Sequence, residues 1–217
     1  MTDPFPDPAT PPARAARLPS AERHSQILDA AVEEFAGRGY AGARMAAVAT
    51  RADVTKGLLY HYFPGGKVDL FKAAIESCVD PVLQEAERVS AGFQGSGHDL
   101  LAALLDLGYG RLASERREHI LLRLLLTEAD RFPELATLYR TAILEPSLAL
   151  IGSVIRTGIA AGEFRAGAAD EPGLAHVLMA PVVMGSIWRM TLGAEQAPAL
   201  PMLRDAHLAF ALRALAP

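Results

Sequence analysis

The sequence predicts an all-α chain, and three observations predict it. Hydrophobic residues make up 51% of the chain but aromatics only 6%, and much of the excess is alanine and leucine, the strongest helix formers. Alternating runs of valine, isoleucine and threonine are absent, so strands have no home. Apolar residues instead recur three and four apart in segment after segment, separated by glycine and proline. The 217 residues suffice for one large domain or two small ones, with a sizeable core in either case.

Residues 1–19, MTDPFPDPATPPARAARLP, are proline-rich and aperiodic, which predicts a disordered arm with Arg14 and Arg17 solvated. Ser20 then reads as an N-cap, with Glu22 in the first turn. Ile27, Ala31 and Phe35 mark the first helix, which Gly37 and Gly39 end. A second helix covers about Arg44 to Arg51, with Met45, Val48 and Ala49 inward. The turn after it places Asp53 where a left-handed backbone is expected. Thr55 caps a third helix running to about Phe63, and Pro64-Gly65-Gly66 makes a corner. Lys67 opens a fourth helix with Val68, Phe71, Ile75 and Val79 on its apolar face, and Pro81 should kink or end it near Asp80.

Ser90 to Gly97 is the clearest loop. Beyond it lie about six amphipathic segments. They cover His98 to Ser114, Glu118 to Asp130, a helix restarted by Pro133 and bent at Pro146 before Gly162, one opened by Asp170 and Pro172 and ending near Gly193, and one from Pro201 with Leu203, Leu208, Leu212 and Leu215. No repeat of solenoid period is visible. The expected organisation is an arm (1–19), a three-helix head (20–66) and a helical body (67–217).

Residues 40–67 carry the chemistry. Two short helices flank a tight break, and the second packs threonine, lysine, two tyrosines and a histidine into about two turns. That is how a helix-turn-helix enters the major groove. The formal net charge of −4 argues against indiscriminate coating of DNA. Within 40–67, however, Arg44, Arg51, Lys56 and Lys67 stand against Asp53 alone, and a docked motif needs only a local positive footprint.

Other function classes find little support. The single cysteine, Cys78, cannot form an intrachain disulfide, and the start of the chain lacks an apolar signal stretch. The longest apolar run, Leu174 to Trp188, is expected to be too short for a bilayer. A cytoplasmic protein without membrane association is expected. Glu115 and His119 are four apart, but no further histidine joins them at ligand spacing, so no metal and no cofactor are expected. GxSxG and Walker patterns are absent, which predicts no catalytic residues; a helical enzyme of scattered residues is the remote alternative.

The stretch GYAGARMAAVATRADVTKGLLYHYFPGGK, with the preceding ILDAAVEEFAGRGY, resembles the DNA-binding signature of the tetracycline-repressor (TetR) family of bacterial regulators. The likeness covers about Ser20 to Leu70; later phrases such as EADRFPEL and AAGEFRA resemble that family's effector domains. The resemblance implies a DNA-binding head joined by the fourth helix to a ligand-binding, dimerising body. Thr55, Lys56, Gly57 and Leu58 then open the recognition helix. Tyr60 and Tyr62 offer hydroxyls to phosphates, His61 faces the groove between them, and Lys67 anchors a phosphate at a helix N-terminus. Read from the residues alone, Tyr60 divides between core packing and phosphate, whereas His61 and Tyr62 are expected to be exposed. Two positions depart from the pattern. Ala43-Arg44 replaces a capping hydroxyl before the second helix, leaving Arg44 as the phosphate contact, and Asp53 replaces the turn glycine.

For the body, Tyr109, Arg123, Glu128, Met184 and Trp188 are the candidate lining residues of a cavity for a small, apolar effector. The last two helices, about 171–193 and 199–215, carry apolar surface that a two-fold mate would cover as a four-helix bundle. The expected partners are thus a pseudo-palindromic double-stranded DNA operator, a small-molecule effector and a second copy of the chain. The expected function is a repressor released by ligand, with a ligand-independent regulator or activator as the alternative.

Overall fold

The computed structural model describes residues 20–93, 95–114 and 116–217. The expected arm, with Arg14 and Arg17, lies outside the described residues, as do Glu115 and the side chain of His119. Among the described residues every regular element is helical. The head holds α1 (Ser20–Gly42), α2 (Met45–Arg51) and α3 (Lys56–Tyr62); α4 (Lys67–Gly92) leads out of it. The remaining α-helices are α5 (Gly97–Ser114), α6 (Arg116–Glu128), α7 (Pro133–Leu138), α8 (Glu145–Ala160), α9 (Leu174–Leu192) and α10 (Leu200–Leu215).

Local chemistry accounts for most boundaries. Gly39 takes φ +68° and breaks α1 before its last residues. Asp53 takes φ 51°, as expected of the turn between α2 and α3. Thr55 caps α3, its side chain accepting from Leu58 N at 3.1 Å. Gly66 at φ +73° turns the chain into α4, where Asp69 accepts Gly65 N at 2.6 Å.

Neither Pro81 nor Pro146 ends a helical run. Pro81 lies inside α4, which continues to Gly92 rather than ending near Asp80. Pro146 sits in the first turn of α8, and the turn before it, Tyr139–Leu144, widens to a π-helix. Proline supplies no N–H and crowds the carbonyl one turn back, and a wider turn relieves that conflict without interrupting the rod. The expectation of no membrane-length helix also needs correction. By length and composition alone, Pro133–Ala160 and Leu174–Leu192 are each apolar enough to cross a bilayer.

Two apolar cores organise the molecule. The first joins Ile27, Phe35, Val48, Leu59 and Phe71 of α1–α4 to Leu124 and Leu125 of α6 and Leu135 of α7. Its aromatic centre packs edge to face, with Phe35 and Tyr40 at 4.7 and 5.0 Å from Phe71. The second core joins Leu100 and Tyr109 of α5, Val154 of α8, Leu178 of α9 and Ala211 and Leu215 of α10. Arg204 ties α10 to α5 through a two-pronged pair with Asp106, at 2.7 and 2.9 Å.

Candidate nucleic-acid interface and internal cavity

The short helix α3 is pinned by two side chains and presents the rest. Leu59 is fully buried and Phe63 nearly so, which fixes the rotation of the helix. That rotation leaves Thr55, Lys56, Gly57, Tyr60 and His61 exposed and Leu58 half-buried. Tyr60 is 40% exposed, and the Lys56 ammonium stands 5.8 Å from the centre of its ring. Tyr62 is the more withdrawn tyrosine. It is half-buried against the head core, and its hydroxyl lies 3.1 Å from Ser20 Oγ. The structure therefore reverses the expected exposure of the two tyrosines: the ring of Tyr62 packs beside His24 of α1 and Phe63, at 5.8 and 6.3 Å between ring centres.

The Ala43-Arg44 departure has a structural explanation. Ala43 is buried, so a small apolar side chain packs there. In place of a hydroxyl cap, a carboxylate on α1 steadies the start of α2: Arg44 N donates to Glu34 Oε1 at 3.3 Å. Glu34 is itself buried and also accepts from Arg51 Nη1 at 3.0 Å, with Glu33 3.3 Å from Arg51 Nε. The Arg44 side chain remains exposed, beside Arg38, on a groove between α1 and α2. Sequence reasoning missed both Glu34 and Arg38; Arg38 joins Arg44 only once α1 and α2 are packed.

Lys67 does not project freely. Its ammonium donates to Tyr40 O at 2.9 Å and Ala41 O at 3.2 Å and lies 4.9 Å from the Tyr40 ring centre. From the other side Tyr40 N donates to Glu128 Oε1 at 2.8 Å and Ala41 N to Glu128 Oε2 at 3.2 Å. The backbone of Tyr40 and Ala41, near the end of α1, is thus gripped by a cation on α4 and a carboxylate on α6. Gly39 makes room for this: a Cβ there would stand 2.7 Å from Glu128 Oε1. The Tyr40 hydroxyl donates to Glu134 at 3.2 Å, and burial, followed by that carboxylate, pushes the phenol up to about 12.

In the body, a cavity of about 220 Å³ lies between Ile75, Cys78, Val79, Val82 and Leu83 of α4 and Val182, Val183 and Ser186 of α9. Gly108, Arg111 and Leu112 of α5, Leu122 of α6, Ile143 and Ser147 complete its described wall. A larger open groove of about 720 Å³ runs between α5 and α10, lined by Asp106, Tyr109, Arg189 and Arg204. The apolar, less open cavity is the better small-molecule site, because a charged open groove leaves a ligand hydrated.

Comparisons with known proteins meet this geometry. Residues 27–74 match the model of bacterial regulatory proteins of the tetR family. Residues 84–200 match that of the tetracyclin repressor-like C-terminal domain, more than half of the chain. The chain belongs to the tetR family. The HTH-type transcriptional activator FasR of Mycolicibacterium smegmatis is 45% identical over 67 residues, which cover 31% of this chain and 30% of that protein. The HTH-type transcriptional repressor SCO4008 of Streptomyces coelicolor is 45% identical over 62 residues, or 29% of this chain and 31% of the repressor. The matched stretch spans less than a third of either relative. Among solved structures, the SmeT–triclosan complex superposes with a TM-score of 0.76 at 24% identity, covering 90% of this chain and 92% of that one, a likeness of fold.

Of the five expected lining residues, Tyr109 lines the open groove, and the other four are among the described lining of neither the groove nor the cavity. Tyr109 is buried at the outer groove, its hydroxyl 3.2 Å from His207 Nδ1. Arg123 is exposed, Glu128 holds the end of α1, and Met184 and Trp188 are exposed on α9. They stand out by chemical type, whereas the cavity is drawn by helix face, and its wall is mostly plain aliphatics. The one legible signal was the α4 face, where Ile75, Cys78 and Val79 continue past the head.

Proposed function

We propose that the chain is a homodimeric, ligand-responsive transcription regulator, most simply a cytoplasmic repressor that leaves a pseudo-palindromic operator when a small apolar molecule binds. The head, residues 20–66, reads DNA; the body, 67–217, binds the effector and the second copy. The observation that carries the reading is the double duty of α4. Its middle walls the cavity through Ile75, Val79 and Val82, and its first residue grips the end of α1 through Lys67. A ligand that moves α4 thereby moves the head. The required coupling is modest, about 1–3 kcal/mol for a 5–150-fold change in affinity. SmeT is known with triclosan bound, which supports an apolar effector for a body of this shape. FasR is an activator, so ligand-dependent activation is the second reading.

At the DNA, Lys56, Gly57, Tyr60 and His61 face the groove, with Thr55 and Leu58 at the helix opening. Arg44 meets phosphate; Tyr62 and Lys67 act mainly by positioning, with their outer atoms at the backbone. Binding of the chain to the DNA upstream of its own gene, followed by fluorescence anisotropy at two salt concentrations, tests this. Lys56→Ala and Arg44→Ala are expected to weaken binding at least tenfold and to lower the salt slope by about one for each phosphate no longer neutralised. Unchanged affinity and slope in both variants would sink the assignment.

A further inference from the structure

The cavity wall restricts its occupant more than overall apolarity does. Its described residues are aliphatic on both main sides, with Val79, Val82 and Leu83 of α4 facing Val182 and Val183 of α9. No carboxylate and no aromatic ring stands among those described residues. From these described residues a quaternary ammonium or protonated amine, having shed its hydration, would receive neither an opposite charge nor a π-face. The volume of about 220 Å³ falls below the ~300–1,000 Å³ usual for drug-sized ligands.

One atom of this wall lacks what buried polar atoms normally have. Ser186 is only 2% exposed, yet its Oγ makes no hydrogen bond in the structure. Another hydroxyl of the same helix behaves ordinarily: Thr191 Oγ1 donates to Ile187 O at 2.8 Å. A buried hydroxyl without a partner costs stability, and a polar group in the cavity beside it would remove that cost. Resting on the reading of this cavity as the effector site, we infer that the effector is a small aliphatic molecule without positive charge, and that its polar end, a hydroxyl or carbonyl, hydrogen-bonds Ser186 Oγ. Ser186 thus sets specificity, and the aliphatic wall takes the chain of the ligand.

The test is calorimetric titration of the full-length protein with 1-octanol, octyltrimethylammonium and palmitoyl-CoA, with binding to its upstream DNA measured in parallel. 1-Octanol is expected to bind saturably, and the other two at least tenfold more weakly. Ser186→Ala is expected to weaken 1-octanol about tenfold, the scale of one buried hydrogen bond. It should leave DNA affinity without octanol unchanged, and melting temperature unchanged or raised, because it deletes an unpaired hydroxyl. Failure of 1-octanol to bind, equal binding of octyltrimethylammonium or palmitoyl-CoA, or an unchanged octanol affinity in Ser186→Ala overturns the inference. With DNA binding intact, those outcomes remove only the effector class; loss of DNA binding by the unmodified protein removes the regulator reading itself.

Discussion

His207 shows how one buried side chain gives the fold a pH dependence. It lies in α10 against Tyr109 of α5, and burial lowers its pKa from the ordinary histidine value. The folded state therefore holds the neutral imidazole, and the unfolded chain takes up a proton first as pH falls. By linkage the stability from this group is present above the unfolded value, near ~6.5, and is lost as pH falls through the lower folded value. Urea unfolding between pH 8 and 5 at fixed protomer concentration is expected to show stability dropping below about pH 6.5, with a slope of at most about 1.4 kcal/mol per pH unit from this residue. In His207→Gln the slope should be shallower in that window; an identical slope would mean that His207 is not the group responsible. Asp53 illustrates the opposite case, a residue whose conformation was readable from sequence. Its left-handed φ of 51° follows from its place in a tight turn, which Asp53 N and Val54 N close on Thr50 O and Ala49 O, and aspartate bears that backbone at less cost than most residues.

At the scale of elements, the grip on the end of α1 decides how head and body communicate. Glu128 accepts two backbone N–H groups, and removing it leaves Tyr40 N, partly buried, without a partner. Glu128→Ala is expected to cost about 1–3 kcal/mol in urea unfolding, and Glu128→Gln less, since an amide oxygen still accepts. Gly39→Ala should also destabilise, through its φ of +68° and through collision with Glu128. In a double-mutant cycle the collision part should vanish in the Glu128→Ala background while the backbone part remains. Strict additivity would show that Gly39 answers to φ alone. This grip also marks where sequence reading stops. Helix positions, Thr55 as a cap and the face of α3 carried by Leu59 and Phe63 are local properties, written in spacings of three and four. Glu128 meeting residue 40 across 88 positions, or Val182 facing Val79, depends on how helices cross, which no local pattern encodes. The exposed face of α3 was therefore largely legible, Tyr62 apart, and the cavity wall largely was not.

At the scale of the whole molecule, the surface of α9 and α10 is unlike the rest. Val177, Met184, Trp188 and Leu192 are exposed along one stripe of α9, and Met202 and Phe210 are exposed on α10. Spacings of seven and four keep the α9 residues within one helical face. The same helix buries Leu178 in the body core, so it is apolar on two sides, which is why its composition also suits a bilayer. Monomers rarely leave so many large apolar side chains on adjacent helices uncovered, and a two-fold mate presenting the same surface would cover both sets at once. Arg204 and Asp106 stiffen that surface by holding α10 to α5. Phe210→Asp is expected to raise the dimer dissociation constant more than about thirtyfold, because symmetry places the charge in the interface twice and an interface centre tolerates charge poorly. Sedimentation at micromolar concentration should then show a dimer for the unmodified chain and a monomer for the variant. The monomer should keep its fold by circular dichroism and bind a single half-site with much reduced affinity. A monomeric unmodified chain, or a variant that still sediments as a dimer, would place the interface elsewhere, and the reading of two heads held at groove spacing would go with it.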